Sequence, residues 1–353
     1  MALTQTIIRN SKSTGSRVTI FVLMSLFLII LFILDLFLGS VSLEVSDVLK
    51  VLSGDSANVA GSIILDFRLP KALTALLVGV ALSLSGLQMQ TLFRNPLAGP
   101  YVLGVSSGAS LGVALVILGF SSGISFLNLQ QTGNWILVIS AWLGSGIVML
   151  LILFISVRVR DIMTILILGM MLASGLSAVV SIMQYFSNET MLKAYVIWTM
   201  GSLGNLSPGQ LKILTLSVIA GSLLTILSVK ILNALLIGEN YAGSMGLNIK
   251  WSRVLIFTCT TILAGSVTAF CGPIGFIGIA VPHIVRNLFK TSDHAVLVPG
   301  TILCGAIIMS LSDIVSQLPG SEIVLPVNSV TSLIGIPVVI WVIVKNKNSS
   351  GIF

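Results

Sequence analysis

Arg68 and Lys71, in the run RLPK, are the side chains of this chain best suited to polar recognition. A guanidinium and an ammonium at that spacing stand ready to pair with carboxylates, Arg through two parallel hydrogen bonds and Lys as a point charge. Gln88 and Gln90 follow on the same apolar run as neutral donors and acceptors. Covalent chemistry has far less to work with. The two histidines, His283 and His294, and the three cysteines, Cys259, Cys271 and Cys304, form no cluster at metal-ligand spacing. Cys259 and Cys271 would stand about 18 Å apart on one helix, too far to bridge, and all three cysteines read as small buried hydrophobes. No metal site, cofactor site or catalytic acid, base or nucleophile set is expected. The chain also lacks a GxxxxGK[ST] phosphate loop, so ATP hydrolysis by that route is not expected of it.

The elements that carry these residues are set by solvent. With 56% hydrophobic residues, 8% charged residues and a mean hydropathy of +1.10, the chain cannot cover a water-soluble surface. It reads as an integral membrane protein. Its apolar runs are continuous rather than alternating, which favours helices over a barrel. Ten spans are expected, near 17–38, 71–91, 102–120, 134–156, 161–186, 211–237, 253–271, 274–290, 295–315 and 329–344. The first exceeds the apolar stretch of a secretory signal and lacks a small-residue cleavage site, so it reads as a retained span. The eighth, with Gly272, Pro273, Gly275, Gly278 and Pro282, equally describes a broken or re-entrant helix.

Charge asymmetry orients the spans. With both ends in the cytosol, Arg9, Lys12, Arg17, Arg94, Arg158, Arg160, Lys230, Lys250, Arg253, Arg286, Lys290, Lys345 and Lys347 fall inside, and only Lys50, Arg68, Lys71, Lys193 and Lys212 outside. That is the positive-inside pattern. The net charge of +7 therefore reports topology rather than a nucleic-acid partner. Asp35 and Asp313 are expected near outer helix ends, their carboxylates reaching the interface. No ionisable residue is read at mid-depth, so ion coupling finds no site and the driving force is expected from a separate subunit.

Residues 39–70 make a long outer segment, with a short amphipathic helix expected in SLEVSDVLKVL and a turn in GDSANVAG. In span two, Gly79, Ser83 and Gly86 share one face with Gln90, and span three opens with Gly104, Gly108 and Gly112. Such faces let helix backbones approach closely. Two readings stay open for the span-two face: plain packing, or, with Gln88 or Gln90, the lining of a path or a subunit interface. The inner loop GENYAGSMGLNIKWSR, 238–253, is longer than a bare connector requires and has room for one or two helical turns.

Taken together, RLPK at 68–71, SGLQMQ at 85–90, RNPLAGPYVLGVSSGAS at 94–110, GSLGNLS at 201–207, AGSMGL at 242–247 and CGPIGFIGIAVPHIVR at 271–286 resemble the FecCD-type permease family. These are the iron-siderophore, haem and cobalamin permeases of type II ABC importers. SDH at 292–294, the Asp313 helix and TSLIGIPVVIW at 331–341 extend the likeness to roughly residues 17–345.

The resemblance implies an all-α polytopic permease with about ten helices, one transmembrane domain over 1–353, and cytosolic tails at 1–16 and 345–353. It implies a bacterial inner-membrane location with both termini cytoplasmic, and a second permease subunit, identical or related. It also implies two cytosolic ABC ATPase subunits and an external substrate-binding protein. No cofactor is implied, and the partners besides protein are lipids. Arg68 and Lys71 match the family's outer pair, which resembles a socket for acidic residues of the binding protein. Lys71 replaces an arginine there, and Gln317 stands near the place where the family often has a third. Glu239, Asn240, Tyr241, Ala242, Gly243, Ser244, Met245, Gly246 and Leu247 look like the helices that couple to the ATPase. Gly79, Ser83, Gly86, Gln88 and Gln90 are the candidates for the path, and Asn95, Pro96, Pro100, Gly272 and Pro273 for structural turns. The expected cargo is a ferric siderophore or haem, with cobalamin as the alternative. An ion-coupled secondary transporter is the reading from a different class.

Overall fold

The computed structural model describes residues 2–39, 43–52, 59–119, 135–159, 161–317 and 324–347. Among them helix is the only regular secondary structure. The elements are α1 (Ala2–Phe37), α2 (Val45–Leu52), α3 (Val59–Leu92), α4 (Val105–Gly119), α5 (Trp135–Arg158), α6 (Ile162–Tyr185) and α7 (Glu189–Thr199). They continue as α8 (Pro208–Leu227), α9 (Val229–Leu235), α10 (Glu239–Ser244), α11 (Ile249–Cys271), α12 (Ile277–Phe289), α13 (His294–Ser316) and α14 (Val327–Lys347). Every expected span finds a helix. Seven are long and apolar enough to cross a bilayer, and Val105–Gly119, Ile277–Phe289 and Val327–Trp341 are shorter apolar helices. The short α12 has 13 residues, about 20 Å of rise against a hydrocarbon core of about 30 Å, and Pro282 lies inside it. At that length it does not reach across the core by itself, in keeping with the broken or re-entrant helix read there.

The helix α3 is the axis of the bundle. Every residue from Ala81 to Phe93 is buried, as befits a helix apolar on all sides. Around it pack α13, α12, α8 and α11, while α4 lies against α5 and α6. On the periphery, Leu143, Leu150 and Phe154 of α5, Met171 and Ile182 of α6, and Leu216 and Leu223 of α8 stand exposed. So much contiguous apolar surface suits lipid, not water. Buried in α3, by contrast, are the polar side chains Ser83, Ser85, Gln88, Gln90 and Thr91, each with a hydrogen-bond partner.

Several boundaries differ from expectation. Span two begins at Val59, includes a π-helical stretch at Ile63–Arg68, and its 34 residues outrun the bilayer, so its first turns form part of one face. The turn read in GDSANVAG falls largely on residues outside the described set, and Val59–Gly61 is already helix. Arg160 and the tail from 348 also lie outside it. Span six breaks at Ser228 into α8 and α9. The α7 helix was not anticipated, because Asn188 caps it locally while its sequence carries only a weak apolar period.

Asp35 and Asp313 require a larger correction. They were expected with their heads in the interface, yet they are 2% and 0% exposed. Neighbouring helices close over both positions and supply partners, which a reading of each span alone does not reveal.

Candidate functional site

At the Arg68 end of the bundle, a cavity of about 480 Å³ is lined by Arg68, Lys71, Asp313 and Gln317, with Gly201–Asn205 and Leu325 along its side. Arg68 points inward, 8% exposed, and its NH1 donates to the Leu36 and Phe37 carbonyls at 2.8 Å each. These carbonyls end α1 and have no partner within their own helix, so the cation satisfies them and sits at the negative end of the dipole. Lys71 Nζ lies 2.9 Å from Asp313 Oδ1 and keeps 21% of its side chain exposed. Gln317 Nε2 donates to Asp35 Oδ1 at 3.0 Å and to Asp313 Oδ2 at 3.2 Å. The arrangement ties α1, α3 and α13 together on one face. The resemblance singled out Arg68, Lys71, Gln317 and the helix of Asp313, but not Asp35 or the α1 carbonyls that hold Arg68.

The span-two candidates are all packed inside the subunit. A Cβ at Gly79 would meet the Gly305 carbonyl, and one at Gly86 the Gly278 carbonyl. Ser83 Oγ donates to the Gly79 carbonyl at 2.6 Å and lies 3.1 Å from that of Thr301. Gln88 donates to Thr225 at 2.7 Å and accepts from Thr260 at 3.3 Å, joining α3 to α8 and α11. Gln90 donates to the Ile279 carbonyl at 3.1 Å and accepts from Arg286, joining α3 to α12. Of the two readings kept open for this face, the contacts within the subunit are those of packing.

The turn residues lie at opposite ends. Asn95 Oδ1 accepts from the Leu97 amide at 2.9 Å, the Pro96 carbonyl accepts from His283 Nε2 at 2.7 Å, and Pro100 opens a 3-10 turn before α4. Gly272 has φ +76°, and a Cβ there would lie 2.6 Å from the Trp198 carbonyl, so a side chain would be strained twice over. Pro273 then follows in the irregular stretch that leads into α12.

At the Glu239 end, the loop contains the one short helix α10, with Ala242 buried and Tyr241 and Met245 68% and 62% exposed. Leu247 returns its amide to the Ala242 carbonyl at 3.0 Å, closing a compact knuckle. Glu239 is held by Arg253, whose Nε donates to Oε1 at 2.8 Å and whose NH2 meets Oε2. Sequence reading missed this pair, since its members are separated by a loop and each looks like an ordinary loop charge. Nearby, Asp161 caps α6, and hydrogen bonds from the Thr164 hydroxyl and the Thr164 and Met163 amides hold its carboxyl below the usual range. Asp293 before α13 is likewise lowered, by the Ala295 amide and then by Asn233. Among the described residues no group of three His, Cys, Asp or Glu side chains is placed to hold a metal ion.

The pattern of the FecCD transport family matches residues 27–345, which includes both polar ends and every span-two candidate. The chain belongs to the FecCD transport family. An ABC transporter permease of Methanocaldococcus jannaschii is 34% identical over 344 residues, covering 91% of this chain and 97% of the relative. The vitamin B12 import system permease BtuC of Salmonella typhimurium is 37% identical over 298 residues, covering 84% and 88%. A metal-chelate-type ABC transporter solved in an inward-facing conformation superposes with a TM-score of 0.77 at 30% identity, covering 93% of this chain and 99% of that one. PsaBC of Streptococcus pneumoniae, at 16% identity and a TM-score of 0.52, shares the fold. As a member of this family the chain is an ABC importer permease, a multi-pass membrane protein of the type II importer fold. Its ATPase is a separate subunit.

Proposed function

We propose that this chain forms, with a second permease subunit, the translocation path of an importer for a metal held in an organic ligand shell, a ferric siderophore or haem. A binding protein delivers the cargo at the Arg68 face, and two cytosolic ATPase subunits grip α10. The observation that carries this reading is α10 itself. It is a knuckle with an exposed apolar face, anchored by a partly buried ion pair, in a chain without a phosphate loop. Cobalamin is the second reading, favoured by the relatives named for vitamin B12 import.

On the Arg68 face, Lys71 is the cation left partly open to an incoming carboxylate, while Arg68 holds the scaffold on which it stands. The test is uptake by vesicles carrying this permease with its ATPase and binding protein, offered haem, a ferric siderophore and cobalamin in parallel. ATP-dependent accumulation of an iron complex is expected, with none in vesicles holding this chain alone. Accumulation of cobalamin only would replace the cargo assignment, and uptake by the chain alone under an ion gradient would sink the ABC mechanism.

A further inference from the structure

Arg253 has a second edge that the ion pair with Glu239 does not use. Its NH1 donates to the Ser156 carbonyl at 3.0 Å and to the Val159 carbonyl at 2.8 Å. Both carbonyls lie at the end of α5, where a helix leaves its last acceptors open and its dipole is negative. The side chain is 4% exposed, so these bonds form away from water. One guanidinium thus joins the start of α10, the first turns of α11 and the end of α5. An ammonium cannot do this, because it lacks the rigid fork that presents two edges at once.

The chain around α10 makes this junction consequential. Gly238, with φ +109°, and Gly246, with φ +90°, bracket the short helix and offer a swivel at each end. Beyond the junction, α5 is locked to α4 by backbone-close contacts. A Cβ at Gly144 would meet the Gly108 carbonyl, and one at Gly112 the Ser140 carbonyl. The contacts of Glu239 with Arg253, and of Arg253 with α5, tie α10 to this rigid helix pair by a route that bypasses both glycines.

We propose that Arg253 is the positioning residue that transmits movement of α10 to α5 and thereby to the α4–α5 pair. The inference rests on the reading of α10 as the element gripped by the ATPase. It is tested on the full complex in proteoliposomes, by the amount of cargo imported per ATP hydrolysed, normalised to assembled complexes. Arg253→Gln is expected to lower that ratio by about tenfold, a size typical of a substantially altered coupling. Arg253→Lys, which keeps the charge and is the variant safest for folding, is expected to fall between it and the wild type. Glu239→Gln should reproduce the loss, and the double variant should lose no more than the worse single one, since both remove the same link.

An unchanged import-to-ATP ratio in Arg253→Lys and Glu239→Gln overturns the proposal. So does a loss accounted for entirely by reduced assembly, which would show a merely structural role. The underlying reading fails in a different way. If Tyr241→Ala with Met245→Ala leaves ATPase assembly and import intact, α10 is not the gripped element, whatever Arg253 does.

Discussion

At Lys71 one side chain is asked to do two things. Its ammonium neutralises Asp313, which is 0% exposed, while part of its surface faces the cavity where a partner's carboxylate would arrive. The two roles separate by mutation. Lys71→Met strands a buried carboxylate and is expected to lower stability by about 3 kcal/mol, the scale for breaking a buried pair by removing one partner. Lys71→Met combined with Asp313→Asn should recover most of that, because an amide needs no counter-charge. Thermal unfolding in detergent reads this directly. Association with the binding protein, and its dependence on salt, should stay weak in both variants, since neither restores the cation. Full recovery of association in the double variant would remove Lys71 from the docking face. Arg68 was legible from its type and its place in RLPK as a cation suited to polar recognition. That it caps α1 was not, because its partners are backbone carbonyls more than thirty residues earlier.

Among the elements, α3 shows how much a stripe of small residues specifies. The spacing of Gly79, Ser83 and Gly86 announced a close-packing face, and the structure supplies the partners, Gly305 on α13 and Gly278 on α12. Gly86→Ala would drive a methyl group into a backbone carbonyl that cannot rotate away, and a loss of about 3 kcal/mol is expected. Gly146→Ala is the control, since a Cβ there meets nothing within 4 Å, and its effect should stay within about 0.5 kcal/mol. Comparing their melting temperatures tests whether the seam is closed in the protein as it stands. Equal effects would mean that α3 and α12 are not in contact. A role for Gln88 and Gln90 in the path requires α3 to open on two sides, because Gln90 is committed to Ile279 and Arg286 of α12 and Gln88 to Thr225 of α8 and Thr260 of α11.

At the scale of the whole molecule, charge predicts sidedness. Lys193 on α7 and Lys250 at the start of α11 are both exposed, and by the positive-inside rule they are expected on opposite sides of the membrane. All three native cysteines are free and buried, so a membrane-impermeant maleimide should find little background. Lys193→Cys is expected to react in intact cells, and Lys250→Cys only after the membrane is permeabilised. The reverse pattern would invert the topology and, with it, the assignment of the Arg68 and Glu239 faces to binding protein and ATPase.

What the sequence determined by itself was the solvent and the approximate place of each apolar helix. Those follow from local composition and from the rule that backbone polar groups in lipid must be satisfied within a helix. The short helix in the loop after span six was legible for the same reason, its glycines and length being local facts. The charge networks were not. Lys71 and Asp313, Asp35 and Gln317, and Arg253 with the end of α5 are each joined across different helices. Only the packing of those helices decides whether a charge near a helix end meets water or a buried partner, and here it brought the carboxylates inside.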